Sequence, residues 1–372
     1  MIKTRANRLR QLPRLFQKPL LQQPRFVCLS AARPARVFPE LSAGPPPKPP
    51  RPIEDHSEDP PIRKLLVDAE KDGKKAASPR RRFWQTTTVR VVDGHLVLYL
   101  DERPLKHPRT KSTVRLPVSK PLLALALGFE WEGLTSAQQA TKDHLVPMTS
   151  LICRALDIKA DDDQHSSSSG GVGKIRSDIT TAVLRYLDTD SLLCWAPPAG
   201  EYDTRNSKGE SLREVQKRFA AETVLFLTMH VWPGITIEPV LDGHSLTPRE
   251  QAPGVRETVQ DWVQGLSSWQ LAGLERAVLA SKSLLIGARF VMQWSEESAW
   301  RGMPTSDNVF GVEEAAEAAS IEVNWQTARW GMVEDTHDVN HEDLRRQLGN
   351  AMVIVSGTDG DASALFEEKD AE

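Results

Sequence analysis

Hydrophobic and polar positions repeat with two different periods along this chain, and the change of period divides it. From Thr86 to Val92 and from His95 to Leu100 apolar and polar residues alternate around Asp93-Gly94, a dipeptide suited to the positive-φ positions of a tight hairpin turn. Asp101 to Pro104 reads as a second turn and Thr113 to Leu116 as a third short strand, which predicts a small antiparallel sheet. Beyond it the apolar positions recur at helical spacing. Ser119 is placed as the cap of a helix through Trp131, with Leu122, Leu123, Ala126 and Phe129 on its apolar positions. Pro147 to Leu156 reads as a helix opened by proline. The polar Ser/Gly insert 161–173 reads as a disordered loop. Helices are predicted over 174–187, 211–230, 248–264, 268–293 and 312–330, with a strand at Ile235 to Val240 and Gly331 as a C-terminal helix glycine.

The fold class that follows is α+β. A small N-terminal antiparallel β-rich domain, 83–118, is followed by a larger mainly α-helical domain, 119–356, and by an acidic tail, 357–372, read as disordered. Two segments precede the ordered body. Residues 1–39 contain no Asp or Glu but carry nine Lys or Arg residues among interleaved Leu and Phe, the composition of a mitochondrial transit peptide. Residues 40–82 are rich in proline and charge and read as a disordered linker.

Charge sharpens this division. The whole chain holds 47 basic and 50 acidic residues; without the nine basic residues of 1–39, 38 stand against 50, a net charge of −12. An acidic mature chain argues against sequence-independent binding of nucleic acid. No apolar run is long enough to cross a bilayer, so a matrix location without membrane insertion is expected. Cys28, Cys153 and Cys194 are isolated and read as reduced thiols.

Candidate chemistry is sparse. Gly170 to Lys174 resembles a phosphate loop but has Ser168 in place of the first glycine and Ile175 after the lysine. Asp335, His337, Asp338, His341, Glu342 and Asp343 form a His/carboxylate cluster, read as an acidic, solvated helix start; a metal-dependent enzyme built on it is the alternative. No Gly-x-Ser-x-Gly elbow occurs. Ten tryptophans against three tyrosines point instead to packing and to protein interfaces. Glu322 shares a helical stripe with Ala315, Ala318, Trp325 and Arg329, so its carboxylate either pairs locally with Arg329 or faces a partner.

A series of short motifs, in order, then becomes recognisable. Phe83 to Val91, then Leu98 to Pro108 with its Leu-Asp-Glu-Arg-Pro-Leu-Lys-His-Pro core, are followed by Leu116-Pro117, Glu130-Trp131, Val146 to Ser150 and Tyr186 to Asp190. Leu271 to Glu275, Ser281 to Leu285, Trp325-Gln326, Trp330-Gly331 and Asp335 to Asp338 complete it. Together they resemble the mitochondrial ATP synthase F1 assembly factor 2 family over residues 83–356.

The resemblance implies a matrix chaperone rather than an enzyme, without a known cofactor, that holds the α subunit of F1-ATPase until it pairs with β. A monomer is expected, and a structural subunit of a mitochondrial complex is a further alternative. Glu322, Trp325 and Trp131 are the partner-binding candidates. The resemblance tips Glu322 toward function and Trp131 toward packing whose loss unfolds the domain. Departures from the family pattern are Glu132 to Thr135, the Ser/Gly insert and Phe219.

Overall fold

A computed structural model describes residues 81–168, 171–245, 247–299, 309–358 and 366–368. The transit-peptide segment and all but the last two residues of the linker lie outside the described residues. Strands β1 (Thr87–Val92) and β2 (His95–Leu100) pair antiparallel from Thr87↔Leu100 to Val92↔His95. Asp93 (φ 49) and Gly94 (φ 70) make the turn, both with positive φ as a tight hairpin requires. The strand expected at Thr113 to Leu116 is reduced to β4 (Leu116–Pro117), and the end of the expected turn supplies a further fragment, β3 (Arg103–Pro104); both pair with β2. Proline in each fragment removes the donor that would lengthen the ladder. A last fragment, β5 (Glu367–Glu368), runs parallel to β1 at its outer edge, inside the tail read as disordered.

Helix α1 (Pro121–Glu132) covers this sheet, contacting β1 and β2. Its cap position is Lys120 rather than Ser119, because Pro121 already supplies the helical φ at the first turn. Helix α2 (Pro147–Ser168) continues through much of the polar insert expected to be a loop. The extension has a structural role. Asp161 accepts the Ile175 amide at 2.7 Å and Asp162 pairs with Arg176 at 2.6 Å, so the two aspartates hold the start of α3 (Lys174–Leu184). Leu212–His230 (α4) starts with a full capping box between Ser211 and Glu214. Ile235 to Val240 forms no strand; its neighbour Leu241 makes one isolated bridge with Cys194. Val255–Gly265 (α5) begins seven residues later than expected, behind Pro253 and the left-handed Gly254 (φ 89).

Two predicted long helices are each broken. Ser268–Ser281 (α6) ends at Lys282 in a left-handed conformation (φ 57), and Ser283 caps Leu284–Trp294 (α7). Val312–Ala319 (α8) and Ile321–Trp330 (α9) meet at Ser320. The expected stripe of Glu322 with Ala315 and Ala318 is therefore split between two helices. His337–Val355 (α10) completes the body.

The centre is helical. α7 is buried nearly all round, and α6 lies between it, α2 and α10. A Cβ at Gly273 would overlap Val355, and one at Gly287 would come within 2.7 Å of Val278. Absence of a side chain there lets α6 approach α10 and α7 at backbone distance. Leu348, Ala351, Ile354 and Val355 of α10 close this core. No described helix is long and apolar enough to cross a membrane.

Candidate functional site

α9 is a short helix laid on α4 and α8 at the surface. None of its residues is fully buried, and Gly331 (φ 86) ends it as expected. Trp325 is half-buried over a cleft of about 280 Å³ whose apolar lining includes Val215, Phe219 and Ile321. The Arg329 guanidinium lies 3.8 Å over the Trp325 ring and donates to its carbonyl at 3.1 Å. Arg329 is thus committed to the tryptophan and not to Glu322. The Glu322 carboxylate is exposed and accepts from the Gln326 side chain at 3.1 Å.

Past α9 the surface becomes more apolar. Trp330 is 79% exposed, and Met332 and Val333 follow it at about 60%. Met332 lines a cleft of about 700 Å³ between the end of α6, α9 and α10, together with Leu279, Val323 and Leu344 among others. A run of exposed apolar side chains of this kind is a candidate interaction surface. The sequence reading named Glu322 and Trp325 but did not single out Met332 and Val333. Their signal was two consecutive apolar residues after a helix-ending glycine in an otherwise acidic stretch.

The His/carboxylate cluster at 335–343 is dispersed among local contacts. His337 Nδ1 accepts the Val333 amide at 2.9 Å, Glu342 pairs with Arg345 at 2.9 Å, and Asp343 bonds Arg346 and Gln347. Arg346 holds the Asp343 carboxyl below its ordinary range. Among the described residues no three His, Cys, Asp or Glu side chains converge as a metal site would need. Both described thiols are pushed away from reactivity by burial, Cys153 to about 11.

Trp131 lies elsewhere, 8% exposed, between the sheet and α2. Its indole donates to Thr149 Oγ1 at 2.9 Å, its carbonyl accepts from Trp84 at 3.3 Å, and the two indole rings stand 5.2 Å apart. The neighbouring Glu130 accepts the Met148 and Thr149 amides at 2.7 and 2.9 Å and the Thr149 hydroxyl at 2.6 Å. A carboxylate thus caps the N-terminus of α2, where the helix dipole favours it, although burial raises its proton affinity. Two motifs separate in sequence, Glu130-Trp131 and Val146 to Ser150, are the halves of one joint.

Asp190 makes a second joint. It is fully buried, caps the Leu192 amide and accepts the Leu285 amide at 3.0 Å, so it joins the Tyr186 to Asp190 motif to Ser281 to Leu285. Burial pushes its carboxyl up to about 6. Lys120 makes a third, reaching Glu296 at 2.7 Å and the Ile354 and Ser356 carbonyls at 3.0 and 3.1 Å. The candidate residues therefore fall into two groups. Glu322 and Trp325 sit on an exposed surface, and Trp131 in a structural joint.

The geometry suits non-covalent contact with another macromolecule: aromatic and aliphatic side chains flanked by free-facing acidic groups. The family described as "ATP12 chaperone protein" matches residues 81–228. Protein atp12, mitochondrial, of Schizosaccharomyces pombe is 30% identical over 286 residues, spanning 75% of this chain and 85% of that one. Protein ATP12, mitochondrial, of Saccharomyces cerevisiae is 30% identical over 293 residues, 74% and 83% of the two chains. The crystal structure of Atp12 from Paracoccus denitrificans shares the fold with a TM-score of 0.51 at 21% identity, over 74% of this chain and 97% of that one.

Proposed function

This chain belongs to the ATP12 chaperone family, and on that premise we propose that it holds the unassembled α subunit of mitochondrial F1-ATPase in the matrix and releases it to pair with β. The observation that carries the proposal is the exposed surface formed by α9 and the residues after it. Trp330, Met332 and Val333 offer apolar contact, and Glu322 offers an exposed carboxylate in the first turn of α9. A subunit without its neighbours displays apolar surface that belongs inside an assembly, and such surface aggregates. A chaperone covers it transiently. Mixed apolar and acidic contacts serve this role because the bound subunit must leave again.

Trp325 faces the neighbouring cleft that α9 forms with α4 and is the proposed aromatic anchor there. Its ring lines that cleft together with Phe219 and carries the Arg329 guanidinium on one face, which limits the conformational freedom lost on binding. The test is recovery of α subunit from a matrix extract on the immobilised chain. Glu322→Lys should lower recovery at least about tenfold, and Trp325→Ala by about thirtyfold, the range of an interface anchor. Because Glu322 is exposed, its variant should melt like the parent. Normal α recovery by both variants would remove this surface from the proposal, and no recovery by the parent would refute the function itself.

A further inference from the structure

The groove between β1 and α1 is the feature that the proposed surface leaves unused. α1 is apolar outside its last turn, and it covers the sheet with one side and touches α2 and α10 with another, which leaves a third side uncovered. Leu122, Leu125 and Phe129, at positions one, four and eight of a single stripe, face solvent, with Phe129 76% exposed. A helix that is hydrophobic all round ordinarily has a second partner. Beside this stripe lies a groove of about 480 Å³ with a floor of Val89, Leu98 and Gly128 and a polar rim of Thr86, Thr87 and Glu132.

Three independent observations describe what the groove accepts. One side is the outer edge of β1, which in the sheet order β3-β2-β1-β5 meets only the two-residue β5. The chain's own tail is seated there: Glu367 and Glu368 pair in parallel with Arg90 and Val91, and the Phe366 ring packs into the groove. Finally, Gly128 lies within a helix, where glycine is the poorest residue after proline. A Cβ at this position would meet only Leu98 Cδ1 at 3.7 Å and Val89 Cγ2 at 3.9 Å, ordinary contact. Packing therefore does not require glycine. Its missing side chain keeps the floor of the groove open.

We propose that the β1–α1 groove is a strand-addition site for an extended client segment bearing an aromatic or large aliphatic side chain, and that residues 366–368 occupy it as an intramolecular stand-in. Main-chain pairing along β1 would supply affinity and the groove would select the side chain, as in other β-augmented complexes. The stand-in is built to leave, since it pairs through two residues and anchors through one half-buried ring. A longer client strand makes more of the same bonds and displaces it. This rests on the reading of the chain as a holder of an unassembled subunit.

The test compares the full chain with one ending at Thr358, using a fluorescein-labelled peptide of residues 362–372 as probe. The shortened chain should bind the peptide, and the full chain should bind it at least tenfold more weakly. A peptide carrying Phe366→Ala should not bind. Gly128→Ala in the shortened chain, whose methyl meets Leu98 and Val89 at ordinary contact distance, should narrow the groove and weaken peptide binding without lowering the melting temperature, which separates blockage from misfolding. Added α subunit should displace the peptide. Equal peptide binding by both chains, or none by either, overturns the proposal. Capture of α subunit with the peptide still bound also overturns it, and leaves the α9 surface standing. If the chain captures no α subunit at all, the proposed function fails, and the peptide arms alone decide whether the groove accepts strands.

Discussion

Replacing Lys120 by methionine tests how the sheet and the helical body are held together. The Lys120 side chain is fully buried. Its ammonium meets Glu296 at 2.7 Å and two carbonyls at the end of α10, more than 230 positions away in sequence. Methionine fills similar space, so the loss is mainly polar. It strands Glu296, only 16% exposed, and two helix-terminal carbonyls. Breaking one side of a buried charge pair costs about 3–5 kcal/mol. That is a large share of the roughly 5–15 kcal/mol by which folded domains are stable.

The same geometry predicts a partial rescue. Burial lowers the proton affinity of Lys120 more than Glu296 raises it, so the pair supplies less net stability than the cost of breaking it suggests. Lys120→Met combined with Glu296→Met should therefore be more stable than Lys120→Met alone by at least about 1 kcal/mol. Urea unfolding followed by tryptophan emission reports both, with Trp269 only 5.6 Å from the ammonium. A single-variant cost under about 1 kcal/mol, or a double variant no better than the single, would refute the reasoning.

Two further outcomes are expected. The Asp190 carboxyl, raised from 3.8 to about 6 by burial, binds its proton more tightly in the folded chain, so its contribution to stability is full below about pH 4 and is lost as pH rises through 6. The loss is about 3 kcal/mol, two pKa units' worth. Other carboxylates titrate in the opposite sense, so the measurement is the difference between the parent and Asp190→Asn. That difference should shift in favour of the variant by this amount between pH 4 and 7, and a flat difference profile would contradict it. Trp131→Ala removes an indole that packs on the Trp84 ring and donates to Thr149, and should cost about 3–5 kcal/mol with a matching fall in the urea midpoint. Retained stability with lost α recovery would instead make Trp131 a contact residue.

The hairpin was legible because Asp93-Gly94 states its own backbone conformation. The break at Lys282 was not, because nothing about lysine announces positive φ. It is imposed from outside, by Ser283 and the buried Asp190 that together cap α7. The break at Ser320 likewise follows no glycine or proline, and merging α8 with α9 gave Glu322 neighbours it does not have. The motifs were legible as landmarks, but their meaning was spatial. Glu130 with Thr149, and Asp190 with Leu285, are contacts across 19 and 95 positions, which no local pattern contains. Trp325 could be picked out by type alone. Met332 and Val333 matter through their exposure, which the sequence does not state.

The position of α10 has a consequence for how this chain comes into being. The last helix is not an appendage: Leu348, Ala351, Ile354 and Val355 fill the centre, and Val355 occupies the space that Gly273 leaves open. A chain emerging N-terminus first from a ribosome or a translocation pore exposes α6 and α7 while their partner is still inside. Residue contacts this distant in sequence close late. The helical body therefore cannot complete its core until nearly its whole length is free, and until then it is itself an aggregation-prone intermediate of the kind that chaperones hold.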